Sequence, residues 1–319
     1  MGTSWSTAAA QNEQDSMEDH RCYIKSPVTR TAYEWHLNDL DNTTLKKAKK
    51  IHSYYENLHK PRHWLIAFFL RSSKIVSDSV NAIQRGYLDH ISAAKRRDIG
   101  KDIDEYFKIA GESNDPTFVL RAYSKSKEFT KKMNGDMAKN TYHELTLYCT
   151  PLNCNVLART QDGIQAFITI LFHHRLDEQR CVNNITVYRG FAIDSECVLK
   201  GYETGAIIIT TTFLSTSNDL EVAALFRNSG EDSTKPNQIF LLCTYKIHNY
   251  RRTALNMAGI SQYPEENEVL IYPYVPFRII SYVKKRIEET GKQQVDVELE
   301  EIGDDYCDAP NGVPCTCDI

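Results

Sequence analysis

Ser261-Gln262-Tyr263-Pro264-Glu265-Glu266-Asn267-Glu268-Val269-Leu270-Ile271-Tyr272 reads as a turn that runs straight into a β-strand. Pro264 fixes φ and removes a backbone donor, which ends any regular element before it; Val269, Leu270 and Ile271 then form a short apolar run closed by Pro273. Three carboxylates crowd the start of that strand. Glu266 and Glu268 are two apart, so both point to one side if extended pairing begins early enough, because side chains alternate faces along a strand. Carboxylates on one face repel unless a cation, a hydroxyl-rich ligand or a raised pKa relieves them. Taken alone, the stretch reads more simply as a solvated acidic turn.

Around it the chain has two textures. Short β-rich runs cover 185–191, 206–213, 238–247, 268–272, 277–283 and 295–301. Before residue 184 the pattern is helical. Apolar residues recur at three-to-four spacing from about 32 to 97, helices are expected over 98–110 and 118–133, and a last one over 161–175 carries Ile164, Phe167, Ile168 and Leu171 on one stripe. Helices followed by consecutive strands give an α+β fold with a mostly antiparallel sheet.

The 319 residues, 41% of them hydrophobic, suffice for a sizeable core. A net charge of −4 gives no general reason to expect nucleic-acid binding, and the basic run at 46–50 reads as a solvated helix face. The most apolar run, 64–70, is too short to span a membrane. Residues 1–24 are a polar tail with neither a basic n-region nor an apolar h-region, so the chain reads as cytoplasmic. That tail opens on Met1-Gly2-Thr3-Ser4-Trp5-Ser6, a match to the N-myristoylation pattern, and a lipid on Gly2 would give weak peripheral membrane association. The nine cysteines show no zinc-ribbon spacing and read mostly as small buried hydrophobes; Cys307, Cys315 and Cys317 fall in a C-terminal tail, 303–319.

Three strand-associated elements then line up in order: Thr186-Val187-Tyr188-Arg189-Gly190, Thr212-Phe213-Leu214-Ser215-Thr216-Ser217, and Glu266-Asn267-Glu268. This order resembles the R-S-E class of mono-ADP-ribosyltransferases, with the E-x-E ending of the arginine-directed branch. The likeness is clear over about 185–285 and faint before 116. It implies one catalytic domain over 25–302, with a helical part at 25–184 and a mainly antiparallel β-sandwich core at 185–302.

The implied reaction moves ADP-ribose from NAD, or NADP, to an exposed arginine of an acceptor protein and needs no metal. Arg189 offers a planar charged fork for a diphosphate, and Gly190 lets a ligand approach the backbone. In the family the matching residues hold the NAD phosphates and the nicotinamide amide. Ser215, Thr216 and Ser217 supply hydroxyls, of which Ser215 matches the serine that orients the catalytic glutamate. Glu268 matches that glutamate, and Glu266 the one that positions the incoming guanidinium. Tyr263 is a candidate acceptor contact. Phe226, on a helix stripe with Leu220 and Ala223, is a candidate cofactor contact whose simpler reading is core packing. Cys22 and Cys307 sit near the chain ends where extracellular relatives make a disulfide. The competing readings are an NAD glycohydrolase and a non-catalytic NAD-binding interaction module.

Overall fold

The computed structural model describes residues 42–58, 75–86, 88–90, 97, 101–146, 155–193, 196–199, 201–229, 238–249, 251–287 and 291–303. The readings of Gly2, Cys22, Cys307, Cys315 and Cys317, of the 1–24 tail and of the 64–70 run lie outside these residues.

Apolar residues at helical spacing build the first half. Helix α1 (Asn42–Leu58) buries Leu45, Ala48 and Tyr55; α2 (Ile75–Gly86) buries Val76, Val80 and Ile83; α3 (Lys101–Ser113) buries Ile103, Phe107 and Ala110. Helix α3 stops where Asn114 takes a left-handed φ of 53°, and Asp115 Oδ1 accepts the Thr117 backbone N–H at 2.9 Å just as α4 (Thr117–Lys125) begins. Ser126 leaves helical geometry, with ψ at 102°, and its hydroxyl accepts the Phe129 N–H at 3.3 Å to start α5 (Lys127–Thr146). A last helix of this half, α6 (Asn155–Leu171), buries Ile164, Phe167, Ile168 and Leu171, the stripe read from the sequence.

The second half contains β1 (Ile185–Ile193), β2 (Ile207–Ile209), β3 (Leu214–Ser217), α7 (Leu220–Ser229), β4 (Ile239–Ile247), β5 (Ala254–Asn256), β6 (Glu268–Ile271), β7 (Pro276–Arg286) and β8 (Gln293–Glu301). They pair in the order β2-β7-β8-β4-β1-β3-β6-β5. Six pairings are antiparallel and one, β4 with β8, is parallel. Expected as a mainly antiparallel sandwich, the strands are hydrogen-bonded into one mixed sheet that narrows to the pair Tyr188–Ser217 between β1 and β3. Of the expected strand at 206–213 only Ile207–Ile209 is extended and paired. Thr210 leaves the ladder: its N–H donates to Val275 O at 3.0 Å, its carbonyl accepts Tyr274 N–H at 2.8 Å, and its hydroxyl donates to Tyr272 O at 2.8 Å. Pairing resumes only at Leu214.

The basic run at 46–50 departs from the solvated face expected of it. Lys46 and Lys50 are exposed, but Lys47 and Lys49 are half-buried because α1 lies against the sheet, and Lys49 Nζ donates to Gly303 O at 2.5 Å. On the same helix Tyr55 stacks on Tyr274, and His52 Nδ1 lies 3.3 Å from Pro273 O.

Helices and strands share one hydrophobic core. Phe167 of α6 touches Tyr123 of α4, Phe129 of α5 and Phe213 before β3, at ring-centroid distances of 5.4, 6.2 and 5.8 Å. Phe167→Ala removes a fully buried ring at this junction and is expected to cost about 3–5 kcal/mol. Denaturant unfolding is expected to show that loss within one transition reported alike by helical and strand probes; a separate helical transition would make the first half an independent unit.

Candidate active site

The β3–β6 pair sets the frame. Its register places Ser215 opposite Leu270 and Ser217 opposite Glu268, so Ser215, Ser217 and Glu268 share a face. The diagonal neighbours meet: Ser215 Oγ donates to Glu268 Oε1 at 2.7 Å. Arg189 of β1 approaches from the other side, and its Nη1 donates to the Ser215 carbonyl at 2.6 Å. The guanidinium lies 5.5 Å from the centre of the Phe191 ring, and Gly190 beside it is buried. Arginine, serine and glutamate from three strands thus form one hydrogen-bonded chain.

The other two hydroxyls of the serine motif are engaged with the backbone. Thr216 is buried, faces away from Ser215 and donates to Val269 O at 2.6 Å, clipping β3 to β6. Ser217 donates to Glu266 O at 2.8 Å and accepts the Asp219 N–H at 3.0 Å, tying the acidic turn to the start of α7. Both were candidate cofactor contacts; here they set the position of the loop and of Glu268.

Glu266 reaches the site by a route other than strand alternation. It ends a 3-10 turn, Pro264–Glu266, and Asn267 follows at a left-handed φ of 47°, so extended pairing starts only at Glu268. The turn bends Glu266 back towards Glu268. Burial is the main cause that holds the Glu266 carboxyl above the usual range; the charges of Glu268 and Glu265 add to it, and Lys127 opposes them. Glu268, 7% exposed, is likewise raised by burial, against hydrogen bonds from Ser215 and Ser261 and the charge of Arg189.

Tyr263 is half-buried in the loop, and its N–H donates to Ser261 Oγ at 3.2 Å. On α7, Ala223 is buried, whereas Leu220 and Phe226 are 46% and 40% exposed. The core reading therefore fails for Phe226, which sits at the surface of a short helix packed on β1 with one face only. Cys243, opposite Arg189 on β4, is fully buried and its thiol is pushed up to about 12, so it is an inert part of the core.

Sequence reasoning passed over Ser261, whose hydroxyl hydrogen-bonds Glu268, and Lys127, which acts on Glu266 from α5. It also missed what holds the loop from outside. Gln262 Oε1 accepts the Tyr106 hydroxyl of α3 at 3.3 Å, and its N–H donates to Ser124 Oγ of α4 at 3.2 Å. The serine lay within the quoted stretch and was readable as a donor; the helical residues lie some 140 positions away and carried no local signal.

No protein-family model and no curated protein sequence matches the chain. Among solved structures it is similar to exoenzyme S from Pseudomonas aeruginosa bound to carba-NAD, at 14% identity and a TM-score of 0.40, over 74% of this chain and 95% of that one. It is also similar to the eukaryotic mono-ADP-ribosyltransferase ART2.2 in complex with NADH, at 14% identity and a TM-score of 0.41 over 73% and 89%. A third is the type III effector XopAI from Xanthomonas axonopodis pv. citri, at 11% identity and a TM-score of 0.44 over 88% and 98%. At these scores the likenesses carry no argument about activity. Among the described residues no helix is long and apolar enough to cross a membrane, and no group of three His, Cys, Asp or Glu is placed to hold a metal.

Proposed function

We propose that the protein is a mono-ADP-ribosyltransferase that moves ADP-ribose from NAD to arginine side chains of an acceptor protein and releases nicotinamide. The observation that carries this reading is the chain Arg189–Ser215–Glu268, closed by hydrogen bonds of 2.6 and 2.7 Å, with a second carboxylate, Glu266, beside it.

In this reaction the bond between the nicotinamide nitrogen and ribose C1′ breaks, and both electrons leave with neutral nicotinamide. Positive charge develops on the ribose, as in glycoside cleavage. Glu268 supports that charge from a fixed position: Ser215 holds one of its oxygens, and β6 holds its backbone. Arg189 grips the diphosphate. An arginine guanidinium is a poor nucleophile while fully protonated, so Glu266 orients it and accepts a proton as the C1′–N bond forms. A raised pKa suits Glu266 to that role, since it makes the carboxylate a stronger base. Thr216 and Ser217 act through the loop they hold, with Tyr263 the candidate acceptor contact and Phe226 the candidate cofactor contact. With Glu266 idle, water takes the acceptor's place and the same site is an NAD glycohydrolase.

Incubation with labelled NAD and agmatine tests the reading directly: an arginine-type adduct is expected beside free ADP-ribose. Arg189→Lys is expected to weaken NAD binding about tenfold or more, because a point ammonium cannot reproduce a two-pronged grip. Calorimetric titration with an unchanged dissociation constant would return Arg189 to a purely structural role on Ser215.

A further inference from the structure

We propose that the cleft between α1 and the end of β8 is a binding site separate from the Arg189–Ser215–Glu268 chain, and that it takes a phosphate group still carrying a hydrogen, as in a small phosphomonoester. The cleft, about 330 Å³ with its open mouth, is walled by Lys49 and His52 of α1 and by Arg251, Tyr274, Glu301 and Gly303. Tyr274 lies beyond one end of β6, whose other end carries Glu268. The site therefore stands or falls apart from the transfer reading.

His52 decides what kind of hydrogen bond the cleft offers. Its ring is 3% exposed, edge-on to Phe172 at a centroid distance of 5.3 Å, and Nδ1 lies 3.3 Å from the Pro273 carbonyl. Burial holds its pKa down at about 4 against the Pro273 and Arg252 carbonyls and the charge of Glu56, while the charge of Arg251 adds to the burial. The ring is thus neutral, with its hydrogen on Nδ1 towards Pro273. Pro273 is not part of the wall, so the ring meets the cleft by its other edge, where Nε2 is a buried acceptor with no hydrogen-bond partner among the described residues. A buried acceptor left bare is costly, and a donor on a ligand relieves it.

The rest of the polar wall is mainly cationic. Lys49 Nζ donates to Gly303 O at 2.5 Å, and its other two N–H groups meet no partner among the described residues. Arg251 Nη1 donates to Lys49 O at 3.3 Å and to Ser53 Oγ, which fixes the guanidinium against α1. The carboxylate of the wall, Glu301, is engaged: it accepts the Asn249 N–H at 2.7 Å and the Thr253 hydroxyl. Tyr274 holds a left-handed φ of 66°, which a bulky residue seldom adopts.

Two cations favour an anion, whereas a bare lone pair and a carboxylate disfavour one that has no hydrogen. A phosphate monoanion satisfies both demands, accepting from Lys49 and donating one O–H to His52 Nε2. Sulfate has the same shape but meets that lone pair with another. Beside the polar groups, Val275, Pro276 and Ile302 give a short carbon chain an apolar surface.

The test uses the full chain with isotope-labelled histidine at about pH 6, near the second pKa of a phosphomonoester, titrated with inorganic phosphate, glycerol 1-phosphate, sulfate and acetamide. The His52 Nε2 resonance is expected to move upfield with both phosphates, the ester saturating at the lower concentration. Sulfate is expected to bind about tenfold or more weakly, the range for a buried acceptor left without its donor. Acetamide, which has donor and acceptor but no charge, should bind more weakly than either phosphate. Anions held at Arg189 do not touch this resonance. Lys49→Gln should weaken phosphate and sulfate alike by about tenfold. His52→Phe, which keeps a ring against Phe172, should level the two. A resonance that stays in place with phosphate, equal binding of sulfate, or acetamide binding as well as phosphate overturns the site; tighter binding of inorganic phosphate than of the ester overturns the ester as its ligand. Should His52→Phe fail to fold, the phosphate-to-sulfate ratio of the parent and the loss in Lys49→Gln still decide.

Discussion

Glu268→Gln is expected to lower arginine transfer and NAD hydrolysis together by about a thousandfold, with NAD binding within a few-fold of the parent. The substitution keeps the size of the side chain and an oxygen able to accept from Ser215 Oγ, the 2.7 Å bond that orients it. What disappears is the negative charge that supports the developing ribose cation, so the loss belongs to the transition state. The same variant should be more stable. Burial raises the Glu268 pKa in the folded protein, so the folded state holds that proton more tightly than the unfolded chain does. The stabilisation this gives is complete at low pH and is lost as pH rises from the unfolded value through the raised folded one. Glutamine does not titrate there; the variant's melting temperature is therefore expected to exceed the parent's by a margin that opens as pH rises over that window. Nicotinamide release followed beside thermal melting decides both points: near-normal turnover removes Glu268 from the chemistry, and a lower melting temperature at neutral pH removes the assignment of a strained buried charge.

That coupling of cost and function bears on what a sequence can disclose. Strand β6 was legible because Val269, Leu270 and Ile271 are apolar and flanked by Pro264 and Pro273, and the observed Glu268–Ile271 ends one residue short of the reading. The stripe of α6 was legible for the same reason: period and burial are local properties. Thr210 shows where such reading stops. A β-branched run suggests a strand, but its hydrogen bonds go to Tyr272, Tyr274 and Val275, some 60 residues on. In the site, the types of Arg189, Ser215 and Glu268 could be read, while the division of labour among the hydroxyls could not. Alternation put Ser215 and Ser217 on one face, yet only the pairing with β6 decides that the first meets a carboxylate and the second a carbonyl. Lys127, Tyr106 and Ser124 were beyond reach for a simpler reason, since tertiary packing alone brings α3, α4 and α5 to the loop.

Glu266→Gln is expected to separate the two reactions that Glu268→Gln removes together. Transfer to arginine should fall by about a hundredfold or more, the range for loss of a positioned base, while NAD hydrolysis stays within about threefold. Water needs no carboxylate to recruit it or to take up a guanidinium proton, and the Glu266 side chain stands outside the Ser215–Glu268–Arg189 chain. Its place in that neighbourhood depends on backbone: Ser217 Oγ donates to the Glu266 carbonyl and Asn267 turns the chain at φ 47°, and neither contact uses the carboxylate. The loop should therefore keep its shape in the variant. A pH series sharpens the comparison. Burial, Glu268 and Glu265 raise the Glu266 pKa, so the ratio of transfer to hydrolysis in the parent should climb with pH as Glu266 ionises above the ordinary carboxylate range, whereas in the glutamine variant the ratio should stay low and flat. Nicotinamide release and arginine adduct, measured in one reaction mixture, give both rates at once. Equal loss of the two would mean that Glu266 supports NAD cleavage itself; equal retention would leave it a solvated acid of the turn, and the arginine reading would then lack the group it depends on.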